Sequence, residues 1–489
     1  MNKPGNASPQ AMTVLLGYLT FILVFFILTR TPQDADLWWH LRAGQEMWEQ
    51  KTILLTDQFS HTRAGEPWTN AFWLSEIVFY LLYQVGGFFA LSVFVSLAGA
   101  GTFLLIYRRL PGNPFLNCAV ILLAVVTAAP IWSPRPQIIS FFLLAWLDKW
   151  LTEHESGKHR PLWILLPLFA LWANLHGGWI WGFLLLLAFL SGAAFQKMLK
   201  MPVPDAATER DWKNIKTMVL WTALGALAIG LNPNGLALWK LPFHTLDVSL
   251  QIQEWLSPDF HRIDFHPLLW MLFLLLIAAR FAPSRPDWIA LFKVIGFAYL
   301  TFISQRNIAP FAIVAAPVLA DWGNTISANL KKSRSGGNSQ TLDRPLPAWV
   351  KTLINILILG SLSAFAILRA YWLSMPAMVN VAVPAGAVAW IKQNHPEPRL
   401  FNSYNWGGYL TWALPEYPVF IDGRADLYGD EFIDEWREIV NGSDKGLALL
   451  DQRGVNLILL EPNWPLLDIL PLEGWDLLYR DEKSVLYGR

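Results

Sequence analysis

The sequence predicts a polytopic α-helical membrane protein with about eleven transmembrane helices and a small C-terminal α/β domain on the outer face. Three observations predict this fold class. Of the 489 residues, 54% are hydrophobic and only 15% are charged, whereas soluble globular proteins carry about 25% charged residues. The 27 tryptophans suit membrane–water interfaces, where the apolar ring and the polar N–H are both satisfied. Long apolar stretches recur along most of the chain.

Eleven of these stretches approach the length of about 20 residues that a helix needs to cross a bilayer. They lie at 12–29, 88–107, 115–132, 137–152, 161–175, 178–196, 216–231, 267–281, 288–304, 308–322 and 350–370. The first stretch is long and lacks a small-residue cleavage site. We therefore expect an uncleaved first span rather than a signal peptide.

The distribution of lysine and arginine predicts the orientation. If the N-terminus lies inside, the inside loops carry clearly more of these residues than the outside loops before the last span, as the positive-inside rule requires. The N-terminus is then cytoplasmic, and an odd number of spans places the C-terminal tail outside. We therefore divide the chain into a transmembrane domain, 1–370, with an outer loop at 30–87, and an extracytoplasmic domain, 371–489.

The pattern of the C-terminal domain is typical of a small α/β fold. Short apolar runs of strand type alternate with stretches of helical type, and a hairpin closes the chain. The predicted strands are 399–403, 418–422, 456–460, 475–479 and 484–487, and the predicted helices are 385–393, 430–441 and 445–452.

Several classes of function are disfavoured by the sequence. The net charge is zero, which gives no sign of a nucleic-acid partner, and the single cysteine, Cys118, cannot form an intrachain disulfide. The motifs G-x-x-x-x-G-K-[ST], H-E-x-x-H and G-x-S-x-G are absent. The spans hold almost no ionisable residues away from their ends, which argues against ion-coupled transport.

The stretch from Gln33 to Glu76 is the centre of the functional prediction, because it places Asp34 and Asp36 directly after the first span. In an extended segment, a D-x-D directs both carboxylates to the same side. Such a pair can hold a divalent cation such as Mg²⁺ or Mn²⁺, or one member can act as a general base. The alternative is that one of them caps the helix predicted over Leu37–Gln50.

That helix carries an apolar face suited to lying in the membrane interface, formed by Leu37, Leu41, Gly44 and Trp48. His40 follows Asp36 by one turn, so it shares the same neighbourhood. Glu76 begins the next apolar run and is a candidate for a buried position facing the site. Asp57 and His61, in T-D-Q-F-S-H-T-R, are predicted to be structural.

The remaining predicted outer loops add further candidates, each with a structural alternative. Arg135 and Arg306 either reach to lipid headgroups or bind phosphate bidentately. Asn174 and His176, in N-L-H-G-G-W, either contact a ligand or form a tight turn. The longest outer segment, 236–266, holds several acids and histidines, among them His244, Asp247 and Glu254.

Two motifs of the C-terminal domain, Y-N-W-G-G-Y-L at 404–410 and F-I-D-G-R-A-D-L-Y at 420–428, complete the set. Asp422 and Arg424 lie at the end of a predicted strand, where ligand-binding groups often sit. The alternative is a structural ion pair between them.

The order of these features resembles the GT-C superfamily of membrane glycosyltransferases. The resemblance rests on D-A-D-L-W-W-H-L-R-A-G, T-D-Q-F-S-H-T and P-W-T-N-A-F-W-L-S-E in the first outer loop, followed by about ten further spans and an outer domain. The loop is similar in particular to bacterial members of the dolichyl-phosphate-mannose or aminoarabinose transferase type. The N-W-G-G-Y run faintly resembles the W-W-D-Y-G signature of oligosaccharyltransferases, but it lacks the Trp-Asp core, so peptide binding is not carried over.

The resemblance implies an enzyme of the bacterial inner membrane that takes a sugar from a polyprenyl-phosphate donor at the outer face. Asp34 or Asp36 would be the base that activates the acceptor hydroxyl in a single inverting step. Arg135 or Arg306 would stabilise the leaving phosphate. The acceptor would be a glycan, a lipid or a protein, and a divalent cation at the D-x-D stays open. The alternatives are a transporter or flippase of lipid-linked glycans and a non-catalytic membrane scaffold.

Overall fold

The computed structural model describes residues 9–158, 160–201, 211–243, 253–281, 287–334 and 347–489, so His244 and Asp247 lie outside the described residues. Helices dominate the chain up to Leu373. They are, from α1 to α12, Pro9–Leu28, Leu37–Gln50, Trp73–Tyr107, Pro114–Ala128, Gln137–Glu155, Leu165–Leu175, Trp179–Met198, Trp212–Ala228, His266–Phe281, Trp288–Ile303, Ile308–Arg334 and Ala348–Leu373.

An apolar helix overlaps most of each of the eleven stretches predicted to cross the membrane. In the described parts of the chain, six helices are long and apolar enough to span a bilayer, and three shorter helices are also apolar. The long ones are Trp73–Tyr107, Pro114–Ile131, Trp179–Met198, Ile263–Phe281, Gln305–Lys331 and Trp349–Leu373. The predicted helical membrane fold is confirmed, whereas the number of crossings stays a prediction.

Helix α3 begins at Trp73, well before the predicted span at 88–107. It is kinked at Gly86 and Gly87, and Gly87 has a φ of 58° that side chains rarely adopt. The two glycines therefore divide α3 into a first part, before Gly86, and a second part that matches the predicted span.

Helix α2 matches the predicted helix Leu37–Gln50, but its apolar face has a different role. Leu37, Leu41 and Gly44 are buried against the protein rather than facing the membrane interface, and only Trp48 is largely exposed. A Cβ atom at Gly44 would clash with the backbone carbonyl of Glu76. The glycine thus allows α2 to lie directly on α3, which fixes the segment that follows the first span.

The C-terminal domain contains one four-stranded sheet. The strands β1 to β4 are Leu400–Asn402, Leu457–Leu460, Asp476–Arg480 and Val485–Gly488, in the order β1-β2-β4-β3. Strands β1 and β2 are parallel and the other pairs are antiparallel. The helices α13 to α18 are Pro376–Val379, Ala385–Asn394, Gly407–Ala413, Ala425–Val440, Asp444–Gln452 and Leu466–Ile469.

The strand predicted at 418–422 is not part of this sheet. Val419 forms an isolated bridge with Ser60 of the first outer loop. Its N–H donates to the carbonyl of Phe59 at 3.0 Å, and its carbonyl accepts from the N–H of His61 at 3.1 Å. The segment therefore joins the outer loop to the C-terminal domain, because its backbone groups find partners there instead of in the sheet.

Packing of aromatic side chains extends this junction. The Trp38 ring of α2 contacts the Tyr409 ring of α15 edge to face, with 5.0 Å between ring centroids. Trp38 lies in one hydrophobic cluster with residues of the sheet and of α14. The first outer loop and the C-terminal domain thus share a core at one end of the helical bundle.

Candidate functional site

The D-x-D segment forms a tight turn rather than the predicted extended segment. Asp36 has helical backbone angles, φ −82° and ψ −22°, and no capping hydrogen bond from its side chain to α2. The Oδ1 atom of Asp34 accepts from the N–H of Asp36 at 3.0 Å. The capping alternative therefore does not describe Asp36, whose carboxylate is directed elsewhere.

Both carboxylates converge on Arg135, which lies in the turn before α5. Its Nε donates to Oδ1 of Asp34 at 2.5 Å, and its Nη1 lies 3.3 Å from Oδ2 of Asp36. The same Nη1 donates to Oε2 of Glu254 at 2.9 Å. We call Asp34, Asp36, Arg135 and Glu254 the cleft cluster. The sequence analysis noted Glu254 only as one acid of a longer loop, because nothing local to it indicates a partner more than a hundred residues away.

Burial and neighbouring charges shift the pKa values of Asp36 and Arg135 in this cluster. Burial raises the pKa of Asp36 to about 6, and Arg135 opposes that shift. Burial also works against the charge of Arg135, but its acidic neighbours outweigh this and raise its pKa well above the ordinary value. Arg135 therefore stays charged, while Asp36 is a carboxylate that exchanges its proton near neutral pH.

His40 of α2 and Glu76 of α3 form a buried pair. Nδ1 of His40 lies 2.9 Å from Oε1 of Glu76, whose Oε2 accepts from the Asn70 amide at 2.7 Å. Burial, and then the charge of Arg135, lower the pKa of His40 well below its ordinary value. His40 also packs on the Trp39 ring, with 3.6 Å between ring centroids. Glu76 is thus buried, and the two side chains hold α2 against α3.

His176 has a neutral ring with a defined tautomer. Its Nδ1 accepts from the N–H of Gly178 at 2.8 Å and lies 2.8 Å from the Ser140 hydroxyl. An accepting Nδ1 places the proton on Nε2. Burial, and then the charges of Arg306 and Arg135, lower the pKa of His176 to about 3. The glycine is needed here, because a Cβ at Gly178 would lie 2.7 Å from that Nδ1.

Asn174 acts as a link between loops. Its Oδ1 accepts from Nε1 of Trp73 at 2.7 Å, and its Nδ2 donates to the carbonyls of Ala170 and Leu231 at 2.7 and 2.9 Å. These contacts occupy the amide, so the structure gives Asn174 a positioning role.

Arg306 lies in the short turn between α10 and α11. Its guanidinium lies 4.3 Å from the centroid of the Trp255 ring, which is a cation–π contact. Ser304 Oγ donates to the Glu254 carbonyl at 3.1 Å, so the same turn also holds the segment that carries Glu254. Among the described residues no carboxylate lies within ion-pair distance of Arg306, which leaves its charge available to an anion.

A cleft of about 520 Å³ opens beside the cleft cluster. Asp34 and Arg30 line it together with apolar residues such as Val126 and Ile263. One Nη of Arg30 donates to the carbonyl of Ala129 at 3.0 Å, and no described acidic side chain pairs with it. The sequence analysis did not select Arg30, although an arginine between an apolar span and a D-x-D was a visible signal.

The C-terminal domain closes over the other side of the D-x-D turn. A Cβ atom at Gly423 would clash with Oδ1 of Asp36, and one at Gly408 would clash with the carbonyl of Ala35. Nε1 of Trp39 donates to the same Asp36 oxygen at 3.1 Å. The glycines in D-G-R and W-G-G-Y therefore allow the domain to contact the turn and to fix the orientation of Asp36.

Asp422 and Arg424 lie in a second ion cluster, formed with Asp57. Nη2 of Arg424 lies 2.7 Å from Oδ1 of Asp57 and 2.6 Å from Oδ2 of Asp422, and all three side chains are fully buried. The guanidinium also packs on the rings of Phe59 and Trp68. We call Asp57, Asp422 and Arg424 the buried cluster. Its geometry matches the structural alternative for Asp422 and Arg424, and Asp57, which is predicted to be structural, is buried in the same cluster.

The D-x-D does not offer an open cation site in this arrangement. Arg135 lies between the carboxylates that would be ligands, and no group of three or more His, Cys, Asp or Glu side chains among the described residues is placed to hold a metal ion. A cation would have to displace the guanidinium.

The fold is shared with known membrane enzymes, although sequence comparison finds none. No family model matches the chain, and no curated protein matches it. The archaeal oligosaccharyltransferase AglB from Archaeoglobus fulgidus, in complex with an inhibitory peptide and a dolichol-phosphate, is similar in structure with a TM-score of 0.63 and 12% identity, over 92% of this chain and 69% of that chain. The apo form of the Archaeoglobus fulgidus oligosaccharyltransferase gives a TM-score of 0.52 and 13% identity, over 91% and 69% of the two chains. The chain therefore has the GT-C fold of these membrane oligosaccharyltransferases, which confirms the resemblance found in the sequence at the level of the fold.

Proposed function

We propose that this protein is a membrane glycosyltransferase that moves a sugar from a polyprenyl-phosphate donor to an acceptor hydroxyl, with inversion, at the outer membrane face. The observation that carries the proposal is the convergence of Asp34 and Asp36 on Arg135 beside a cleft. The shared fold supports the same class of enzyme, because one related structure is a complex with dolichol-phosphate.

The cleft suits the donor. Its wall combines apolar side chains with the guanidinium of Arg30 and the carboxylates of Asp34 and Asp264. Arg306 does not line this cleft, but it lies close enough to Glu254 and Arg135 to interact with their charges, and it has no ion-pair partner among the described residues. Guanidinium groups bind phosphate oxygens well, since their N–H groups match the geometry. In this proposal Arg306 and Arg30 hold the lipid phosphate, and the apolar wall contacts the prenyl chain.

Asp36 is the better candidate for the general base. Asp34 accepts hydrogen bonds from Arg135 and from the Asp36 backbone, and its side chain is 7% exposed. The Asp36 side chain is 21% exposed and has a pKa of about 6, close to the range that favours proton transfer at neutral pH. Asp34 then positions Arg135 and the turn, and Asp36 faces the acceptor.

The reaction is a single displacement. The acceptor oxygen attacks the anomeric carbon while its proton passes to Asp36, and the bond from that carbon to the phosphate oxygen breaks. The electron pair of that bond stays on the phosphate, whose charge Arg306 and Arg30 stabilise. Attack opposite the leaving group inverts the anomeric configuration.

The topology belongs to the same proposal. We propose eleven crossings in a bacterial inner membrane, a cytoplasmic N-terminus, a transmembrane domain at 1–370 and an extracytoplasmic domain at 371–489. Arg135 contacts the D-x-D carboxylates, and the charges of Arg306 and Arg135 both act on His176. The three loops therefore lie near one another, as they must if they share the outer face. The scaffold alternative loses support, because Asp34 and Asp36 are engaged with Arg135 instead of facing bulk water.

Transfer by single variants tests the function. Purified Asp36→Asn and Asp34→Asn proteins should lose transfer of labelled sugar from a polyprenyl-phosphate donor, by about 10²- to 10⁴-fold for the general base. Asp451→Asn, in α17, should keep wild-type activity because that side chain is 67% exposed and pairs with Arg489 rather than with a residue of the cleft cluster. Normal transfer by both D-x-D variants would refute the assignment. Movement of a lipid-linked glycan across liposomes without any transfer product would instead favour a transporter.

A further inference from the structure

One nitrogen of Arg135 occupies the position between two carboxylates of the cleft cluster. Its Nη1 lies 2.9 Å from Oε2 of Glu254 and 3.3 Å from Oδ2 of Asp36, while its Nε contacts Asp34. Carboxylates from two distant segments thus surround a single guanidinium.

We propose that the guanidinium of Arg135 takes the place of a divalent cation, so that sugar transfer by this enzyme requires no metal. The inference deepens the proposed function and rests on it for its catalytic meaning. It decides a question that the D-x-D motif alone leaves open.

The geometry makes the two cations mutually exclusive. Mg²⁺ and Ca²⁺ bind carboxylate oxygens at about 2.0–2.6 Å. An ion at that distance from both Glu254 and Asp36 would overlap Nη1 of Arg135, which already bridges the same two oxygens.

The backbone limits withdrawal of the arginine. Arg135 lies between Pro134 and Pro136, whose φ angles are fixed by their rings. Its N–H donates to the carbonyl of Ser133 at 2.8 Å, and its carbonyl accepts from the N–H of Ile138 at 3.2 Å. The side chain therefore leaves a short, constrained turn and points at the D-x-D.

The charge of the arginine also suits the chemistry better than a metal would. A divalent cation bound to Asp36 would hold its carboxylate as a ligand and lower its basicity. A guanidinium carries one charge and is weakly hydrated, so it balances the acidic cluster while Asp36 remains able to accept a proton. The arginine thus positions the acids and leaves the base active.

Binding of Mn²⁺, followed by electron paramagnetic resonance, tests the inference without any activity assay. The wild type should bind no more Mn²⁺ than an Asp34→Asn/Asp36→Asn double variant. Arg135→Asp should bind about one additional Mn²⁺ per molecule, since it replaces the guanidinium with a further carboxylate. Arg135→Lys, which keeps a positive charge, is the matched control and should bind no more Mn²⁺ than the wild type.

Two results would overturn the inference. One is a Mn²⁺ ion bound by the wild type and lost in the double variant. The other is an Arg135→Asp protein that elutes as a folded monodisperse species and binds no more Mn²⁺ than the wild type. If Arg135→Asp does not fold, the comparison of the wild type with the double variant decides alone.

Sugar transfer measured in the presence of EDTA is a second, separate test of the inference. Transfer by the wild type should change less than twofold when EDTA is present and no metal is added, and loss of transfer that Mg²⁺ or Mn²⁺ restores would overturn the inference. If no condition yields any transfer, the proposed function fails, while the Mn²⁺ measurement still decides whether Arg135 excludes a cation.

Discussion

In the cleft cluster and in the buried cluster, both within the described part of the chain, one arginine lies between aspartates, but the two clusters differ in access to solvent. In the cleft cluster the Arg135 side chain is 18% exposed and that of Asp36 is 21% exposed. In the buried cluster the side chains of Asp57, Asp422 and Arg424 are all fully buried. The short motifs D-x-D and D-G-R therefore lie in two environments that differ in solvent exposure.

The comparison separates a structural role of one arginine, Arg424, from the role in catalysis that we propose for the surroundings of the other, Arg135. A buried ion pair is costly to break, because the partner that remains keeps its charge without water. The buried cluster accordingly joins the outer loop to the C-terminal domain. The cleft cluster opens on a cavity and holds a carboxylate that titrates near neutral pH, which is typical of a reactive site.

The same substitution in both clusters should give the largest contrast in stability. Arg424→Met leaves Asp57 and Asp422 buried and unpaired, so we expect a loss of about 3–5 kcal/mol in the free energy of unfolding. Arg135→Met should cost less, because water reaches Asp36 and Glu254. The midpoint of thermal denaturation in detergent measures both, and an equal fall in the two variants would remove the distinction.

Gly423, between Asp422 and Arg424 of the buried cluster, lies directly against Asp36 of the cleft cluster. A substitution there can disturb this contact. Gly423→Ala should displace the Asp36 carboxylate and reduce kcat by about 10- to 100-fold, because small misplacements of reacting groups are costly. Gly360→Ala in α12 is the matched control, since its Cβ would enter open space. Wild-type kcat in a well-folded Gly423→Ala protein would show that the C-terminal domain does not position Asp36.

The pH dependence of transfer tests whether Asp36 of the cleft cluster is the general base. Asp36 must be ionised to accept a proton and its pKa is about 6. The rate should therefore rise with pH through about 6 and fall about tenfold for each pH unit below it. Arg135→Met should move this midpoint to higher pH, because Arg135 lowers the pKa of Asp36. A rate independent of pH between 5 and 7 would exclude Asp36 as the base.

Breaking a partly exposed ion pair in the C-terminal domain should have the smallest effect on stability. Glu435 accepts two hydrogen bonds from Arg453, and their side chains are 18% and 32% exposed. Glu435→Gln should change the free energy of unfolding by only about 0–1 kcal/mol, as judged by the same thermal midpoint. A loss as large as that of Arg424→Met would mean that burial does not govern the difference between ion pairs in this protein.

Local patterns predicted much of the fold. The apolar stretches became helices, α2 runs from Leu37 to Gln50 as predicted, and four of the five predicted strands form the sheet. The prediction of a strand at 418–422 was wrong, because the backbone partners of this segment lie in the first outer loop rather than in the sheet. The apolar face of α2 was also misassigned to the membrane interface, since hydrophobicity does not distinguish burial in lipid from burial in protein.

The sequence by itself determined the membrane fold and the helical segments, and it selected Asp34 and Asp36 as candidate site residues, because composition, periodicity and short motifs are local properties. Only the tertiary structure decided which arginine meets these carboxylates. Asp34 and Arg135 are 101 positions apart, and Arg135 and Glu254 are 119 apart. Such contacts depend on how the helices pack. The same packing leaves Arg135 beside a cleft and encloses Arg424 in the protein.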